Sequence, residues 1–432
     1  MTTELHSLTA LDAAAKIAAG EISSEELVRS CLDFIDMREN KIGAWQCLDP
    51  EFAINEARRA DSIDPLSPLH GVPFGVKDVI DTVDLPTEYG SPIFEGHQPT
   101  ADAACVAAMR RAGAVLMGKT VSTEFATYQP GKTRNPHNPD HTPGGSSSGS
   151  AAAVGGDMVP LAFGNQTAGS LIRPAAFCGV TAFKPTHGTV NLAGIFELVP
   201  RLDTLGYMAR SVDDLAAFYD IVRGHDEFSE FSDGLNRPPR VGLCHTHHWT
   251  EAEPETVEAV ESAAARFAVL GATVGDCLLP SHFADLAETH STVLCAGLAR
   301  SMKDIHRNHR TRISEILLGM LDDGAATEPQ ALSDAFAHAD SCMMEFPTIT
   351  SDWDVLLTPS APGVAPHGLR MTGNPIFQIV WTLLQVPCVT IPWSTGPNGL
   401  PVGVQLIGRK GDDNRVLRIA KWLDARRERD PS

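Results

Sequence analysis

The 432-residue sequence predicts an α/β fold, a large mixed and mostly parallel β-sheet covered by helices on both faces. Three observations predict it. Short apolar runs bounded by glycine and proline, such as VPFGV, AVLMGKT and MVPLAF, have the texture of strands buried on both faces. Stretches with helical spacing of apolar residues flank and separate these runs. The order strand, helix, strand around DAACVAAMRRAGA is the unit from which parallel sheets are built.

Residues 1–61 are expected to form a helical cover. Leu11, Ala15, Ala18 and Ala19, then Leu27, Cys31, Phe34 and Ile35, recur at helical spacing, and Ser23 or Ser24 ahead of Glu25 and Glu26 supplies an N-cap. Residues 62–235 open the core with the three apolar runs. Between the first two, Ala103, Val106, Ala107 and Arg110 alternate faces in helical fashion and Gly113 supplies the stop. Residues 236–345 are a helix-rich segment expected to cover the substrate, starting with strand-like VGLC and a helix from Pro254 to Leu270 closed by Gly271. Residues 346–432 return to the core. VLLTPSAPG, WTLLQVPCVTIPW and VGVQLIG have strand texture, so both ends of the chain are expected to share one sheet in one compact domain.

Composition narrows the function. Apolar residues at 43% and charged residues at 20% describe a folded globular chain. Thirty-four basic against 54 acidic residues leave a net charge of −20, which repels phosphate backbones and anionic headgroups, so nucleic acid and membrane are not expected partners. The N-terminus lacks a signal-peptide run, and no 18 apolar residues follow one another, which reads as a cytoplasmic protein. Nine cysteines are scattered singly without a CxxC pair, as reduced packing residues are. His245, His247 and His248 have no cysteine or carboxylate at ligand spacing and read as a surface loop, so no metal is expected there. A homodimer is the expected assembly, closed two-fold symmetry being the commonest.

Two motifs match letter for letter and fail on context. Gly113, Gly118, Lys119 and Thr120 fit the phosphate-loop pattern, but the intervening Ala114, Val115, Leu116 and Met117 read as a buried strand rather than a loop curling round phosphates. Gly145, Ser147 and Gly149 fit GxSxG, the nucleophile elbow of α/β-hydrolase esterases. The preceding NPHNPDHTPG is too rich in proline to be the central strand that elbow requires.

Residues 142–185 hold two serine and glycine clusters flanked by packed apolar runs, which flexible linkers are not. Glycine in such a setting permits close backbone approach to a ligand, or N–H groups converging on an anion. GGSSSGSAAA, the TAGS turn and AAFCGVTAFKPT resemble the amidase signature family, and GVPFGVKD resembles that family's lysine-bearing strand. The resemblance extends from about Leu69 to Val222 and again through DVLLTPSAPG, TGNPIFQIVWTLLQVPCVTIP and GLPVGVQLIG, more than half the chain.

By motif position the resemblance implies Ser170 as nucleophile, Ser146 as bridging serine and Lys77 as base, without cofactor. The chemistry is coherent in its own right, because a serine hydroxyl needs a base to take its proton, and burial in the apolar GVPFGVKDVI lowers a lysine toward neutrality. Asp78 is expected to face the other side of that strand. Backbone N–H groups of Thr167, Ala168, Gly169 and Ser170 are expected to stabilise the tetrahedral oxyanion. Substrate contacts are expected from Gly144, Gly145, Gln166 and Arg173, and from Tyr128 in the loop Phe125 to Thr133. Many family members read TDxGGSIR where this chain reads NQTAGSLIRP. SLIRP is similar to the malonamidase-like subgroup, in which the arginine contacts a substrate carboxylate; a structural arginine tying down the loop before Pro174 is the other reading of Arg173. The implied activity is hydrolysis of a small-molecule amide, with esters and carbamates open to the same acyl-enzyme chemistry. Two alternatives stand beside it, the glutaminase subunit of a tRNA-dependent amidotransferase and an α/β-hydrolase esterase. A silent amidase-like binding protein is disfavoured, since Lys77, Ser146 and Ser170 are all present.

Overall fold

The computed structural model describes residues 4–224 and 235–426. Among them eleven strands join in one sheet: β1 (Trp45–Leu48), β2 (Pro73–Lys77), β3 (Val115–Thr120), β4 (Leu161–Gln166), β5 (Thr181–Lys184), β6 (Thr204–Ala209), β7 (Arg240–Leu243), β8 (Thr273–Asp276), β9 (Val355–Pro359), β10 (Cys388–Thr395) and β11 (Pro401–Ile407). Their order across the sheet is β1-β3-β2-β4-β6-β5-β10-β11-β9-β7-β8.

The sheet is large and mixed, as expected, but its balance differs from the expected parallel majority. Parallel pairs are confined to β3-β2-β4 and β9-β7-β8, and the six other pairings are antiparallel. For one of these pairs connection length gives the reason: β10 and β11 are joined by only the turn around Pro397–Gly399, too short for the crossover that a parallel pair requires.

Side chains alternate between two apolar layers along each central strand, as a pleat of period two dictates. Phe74, Leu116, Phe163 and Tyr207 point into one layer, whereas Met117, Ala162 and Met208 point into the other. The first layer is closed by helices including Ala104–Arg111 and Val212–Arg223, the second by Ser24–Ile42 and Ser148–Gly155. Ser23 caps the helix Ser24–Ile42 through a capping box with Glu26. Gly113 and Gly271 follow their helices with positive φ, as expected of residues that stop a helix.

One run departs from its expected texture. Ile376–Leu383, which includes the first residues of WTLLQVPCVTIPW, is a helix, and only Cys388–Thr395 is strand. Phe377 through Leu383 are all buried, so no polar face remains to mark a helical period. The sheet also takes β1 from residues 1–61 and β7 and β8 from residues 236–345. Among the described residues no helix is long and apolar enough to cross a membrane, and no group of histidine, cysteine and acidic residues is placed to hold a metal ion.

Candidate active site

The parallel trio β3-β2-β4 ends its three strands on one edge of the sheet, and the segments leaving those ends build the site. Lys77 is the last residue of β2, the chain beyond β3 returns to this edge at Ser146, and β4 runs directly into the turn Thr167 to Ser170. Residues far apart in sequence meet here because parallel strands bring their C-terminal ends side by side.

Lys77 has no solvent exposure. Its Nζ lies 2.6 Å from Ser146 Oγ and donates to Asn165 Oδ1 at 2.5 Å. Burial holds the amine well below the usual lysine range, and the negative field of Asp203 opposes this only in part. A neutral amine that donates one hydrogen to Asn165 has its lone pair free to accept the Ser146 hydroxyl. Asn165 was missed in the sequence, where it reads as one more polar residue at a strand end. The peptide between Gly145 and Ser146 is cis.

Ser147 N donates to Ser170 O at 3.2 Å, which brings the two serine clusters into contact. Ser170 is 8% exposed, and among the described residues its hydroxyl has no hydrogen-bond partner. Ser147, the elbow candidate, is fully buried with its hydroxyl tied to Asn165 O at 3.2 Å and Asn165 N at 3.3 Å. No strand precedes it, which removes the α/β-hydrolase arrangement. Lys119 of the phosphate-loop pattern lies in β3, buried against Asp78 at 3.1 Å and Thr87 at 2.5 Å. Asp78 therefore pairs away from Lys77.

Around the turn, the N–H groups of Thr167, Ala168, Gly169 and Ser170 donate to no protein acceptor among the described residues. The turn is braced from outside. Thr167 Oγ1 donates to Asp203 Oδ1 at 2.7 Å, and Asp203 Oδ2 accepts from the N–H groups of Leu198 and Val199. Antiparallel pairing of β4 and β6 sets Thr204 opposite Gln166, which is why Asp203 stands beside Thr167. His290 Nε2 is 2.9 Å from Thr167 O, and Thr382 Oγ1 donates to Ala168 O at 2.7 Å. Asp203, His290 and Thr382 had no sequence signal, since each becomes a neighbour of the turn only through tertiary packing. Gly169 admits no side chain, because a Cβ there would stand 2.8 Å from Gln378 Oε1 and 2.9 Å from Pro375.

The expected substrate contacts divide. Gln166 is corrected: it is fully buried, its Oε1 accepts from Leu171 N and Ile172 N, and its Nε2 donates to Thr382 Oγ1. Its carboxamide is thus engaged in shaping the turn and faces protein groups on both sides. Gly144 and Gly145 back the same turn, Gly144 against Pro174 and Gly145 through its carbonyl, which accepts from Arg173 Nη2 at 2.7 Å. Arg173 Nη2 also donates to Thr372 Oγ1 at 3.2 Å, while its Nε and Nη1 are buried without a hydrogen-bond partner among the described residues. Burial brings the guanidinium down to about 10, so it is charged at neutral pH, and Tyr128 stands close enough to act on it electrostatically. Burial pushes the Tyr128 phenol up.

A family model described as Amidase matches residues 26–417. The chain is 34% identical to a glutamyl-tRNA(Gln) amidotransferase subunit of Chloroflexus aggregans, over 96% of each chain. Among solved structures, the native peptide amidase of Stenotrophomonas maltophilia superposes with a TM-score of 0.84 at 28% identity, covering 98% of both chains. A component of a vestigial protein complex, described as revealing the origins of an s-triazine catabolic enzyme, superposes with a TM-score of 0.89 at 27% identity, covering 97% of this chain and 98% of its own.

Proposed function

Because the chain belongs to the amidase family, we propose that it hydrolyses small-molecule amides through a relay of Ser170, Ser146 and Lys77. The observation that supports this most is the buried, electrically unpaired Lys77 amine 2.6 Å from Ser146 Oγ. In the relay Lys77 takes the proton of Ser146 as Ser146 takes that of Ser170, and Ser170 Oγ attacks the amide carbonyl. The oxyanion is met by unengaged N–H groups of the turn. Collapse of the intermediate breaks the carbon–nitrogen bond, the proton returns through Ser146 to the departing ammonia or amine, and water hydrolyses the acyl-enzyme. Esters and carbamates pass through the same acyl-enzyme.

Arg173 narrows the substrate. Among the described residues this buried cation has two unengaged donors and no carboxylate beside it, which is costly, and the carboxylate of a small acid amide offsets that cost. Its bond to Gly145 O also ties down the loop, so the substrate-binding and structural readings hold together at this residue.

A second reading, the glutaminase subunit of a tRNA-dependent amidotransferase, is favoured by the Chloroflexus relative. The net charge of −20 and the NQTAGS turn in place of TDxGGS weigh against it.

The test is intact-protein mass after exposure to a fluorophosphonate. Wild type is expected to gain one adduct, Ser170→Ala none, and Lys77→Ala to react ~100 to 10,000-fold more slowly, the usual contribution of a general base. An adduct retained in Ser170→Ala and lost in Ser147→Ala would sink the relay.

A further inference from the structure

We propose that His290 and Thr382 are positioning residues that aim the oxyanion-stabilising N–H groups of Ala168 and Gly169 by holding the carbonyls of Thr167 and Ala168 on the outside of the turn. The inference rests on the relay proposed above and adds to it two residues that touch no reacting atom. In a trans peptide the C=O and N–H vectors point in opposite directions across a rigid plane. Anchoring the Thr167 carbonyl therefore fixes the direction of the Ala168 N–H, and anchoring the Ala168 carbonyl fixes that of Gly169.

Both anchors have only one orientation open to them. His290 is 2% exposed, and burial brings its ring down to about 4, so it is neutral at working pH. A carbonyl can only accept, so the single ring proton sits on the Nε2 that faces Thr167 O at 2.9 Å. Thr382 is 1% exposed and accepts from Gln166 Nε2 at 2.9 Å, leaving its one hydroxyl hydrogen for Ala168 O at 2.7 Å. Gln166 in turn holds Leu171 N and Ile172 N just beyond the serine, so the turn is gripped on both sides of Ser170. The anchors come from separate helices, Leu286–Ser301 and Ile376–Leu383. His290 lies 123 positions from Thr167, and Thr382 214 from Ala168.

The experiment is the inactivation kinetics of the full chain by a fluorophosphonate, whose phosphoryl oxygen occupies the place of the oxyanion, with kinact and KI determined separately. His290→Leu and Thr382→Val delete the donor with little change of volume. His290→Gln and Thr382→Ser retain one. The deleting variants are expected to lower kinact by roughly 10 to 100-fold, the scale of a misaimed catalytic group, with KI within about two-fold of wild type. The retaining variants are expected to recover most of that loss. Wild-type kinact in both Leu and Val variants overturns the proposal. So does equal slowing in Gln and Leu, or in Ser and Val, since packing and not hydrogen bonding would then be the cause. If a Leu or Val variant does not fold, the retaining variant at that position decides by whether its kinact stays near wild type. Ser170→Ala, run alongside, separates the two levels: labelling that persists there overturns the relay itself, whereas its loss together with full speed in the donor-deleted variants overturns only the positioning roles.

Discussion

Lys77 and Arg173 are both buried basic residues with no carboxylate in contact among the described residues, and their charge states diverge because their intrinsic basicities differ. Desolvation takes the lysine amine well below its usual range, which suits it to the base role proposed for it, while the guanidinium brought down to about 10 keeps its charge. The lysine has what a proton acceptor needs, and the arginine has what an anion needs. Arg173→Met is accordingly expected to lower kcat/KM for the monoamide of a dicarboxylic acid by roughly 30-fold or more relative to an uncharged amide of equal length, the loss typical of removing one member of a buried charge pair. Comparing the two substrates cancels any loosening of Gly145, which affects both alike. An unchanged ratio would leave Arg173 with the loop-tying role alone.

At the scale of elements, the turn Thr167 to Ser170 depends on how closely strand and turn approach. Leu171 follows Ser170 and lies against β6, where a Cβ on Gly206 would stand 2.2 Å from Leu171 Cδ2. Gly206→Ala is expected to cost about 1–3 kcal/mol in thermal unfolding through overpacking and to slow fluorophosphonate labelling by displacing the turn. Leu171→Ala in the same chain removes the clash, so the two losses should fall short of adding; strict additivity would show that the two residues do not press on each other. Element type was legible wherever a residue pattern carried it. The capping residue Ser23 and the stops at Gly113 and Gly271 mark helix ends locally, whereas Ile376–Leu383, buried all round, looks the same as a strand and had to be shown by its fold.

At the scale of the whole molecule, the chain matches its amidotransferase relative and the peptide amidase equally completely, so overall likeness does not choose between a free-standing hydrolase and a partner-dependent one. The proposal of a free-standing hydrolase rests instead on the local departures at Gln166 and Ala168 and on the net charge of −20. The purified chain is expected to release ammonia from small amides without tRNA or any partner protein, at a rate unaffected by added tRNA. Ammonia release from glutamine only when partner proteins are supplied would reverse that choice. The sequence by itself determined the layered α/β architecture, the family and the motif residues Lys77, Ser146 and Ser170, because burial periodicity and glycine-rich turns are written into neighbouring residues. Only the tertiary structure decided that the sheet is antiparallel through its middle, that Gln166 serves the turn, and that Asn165, Asp203, His290 and Thr382 surround the site. Those facts depend on which strand ends and helix faces meet across long stretches of chain, and hydrogen bonds between such partners leave no periodic trace in either segment.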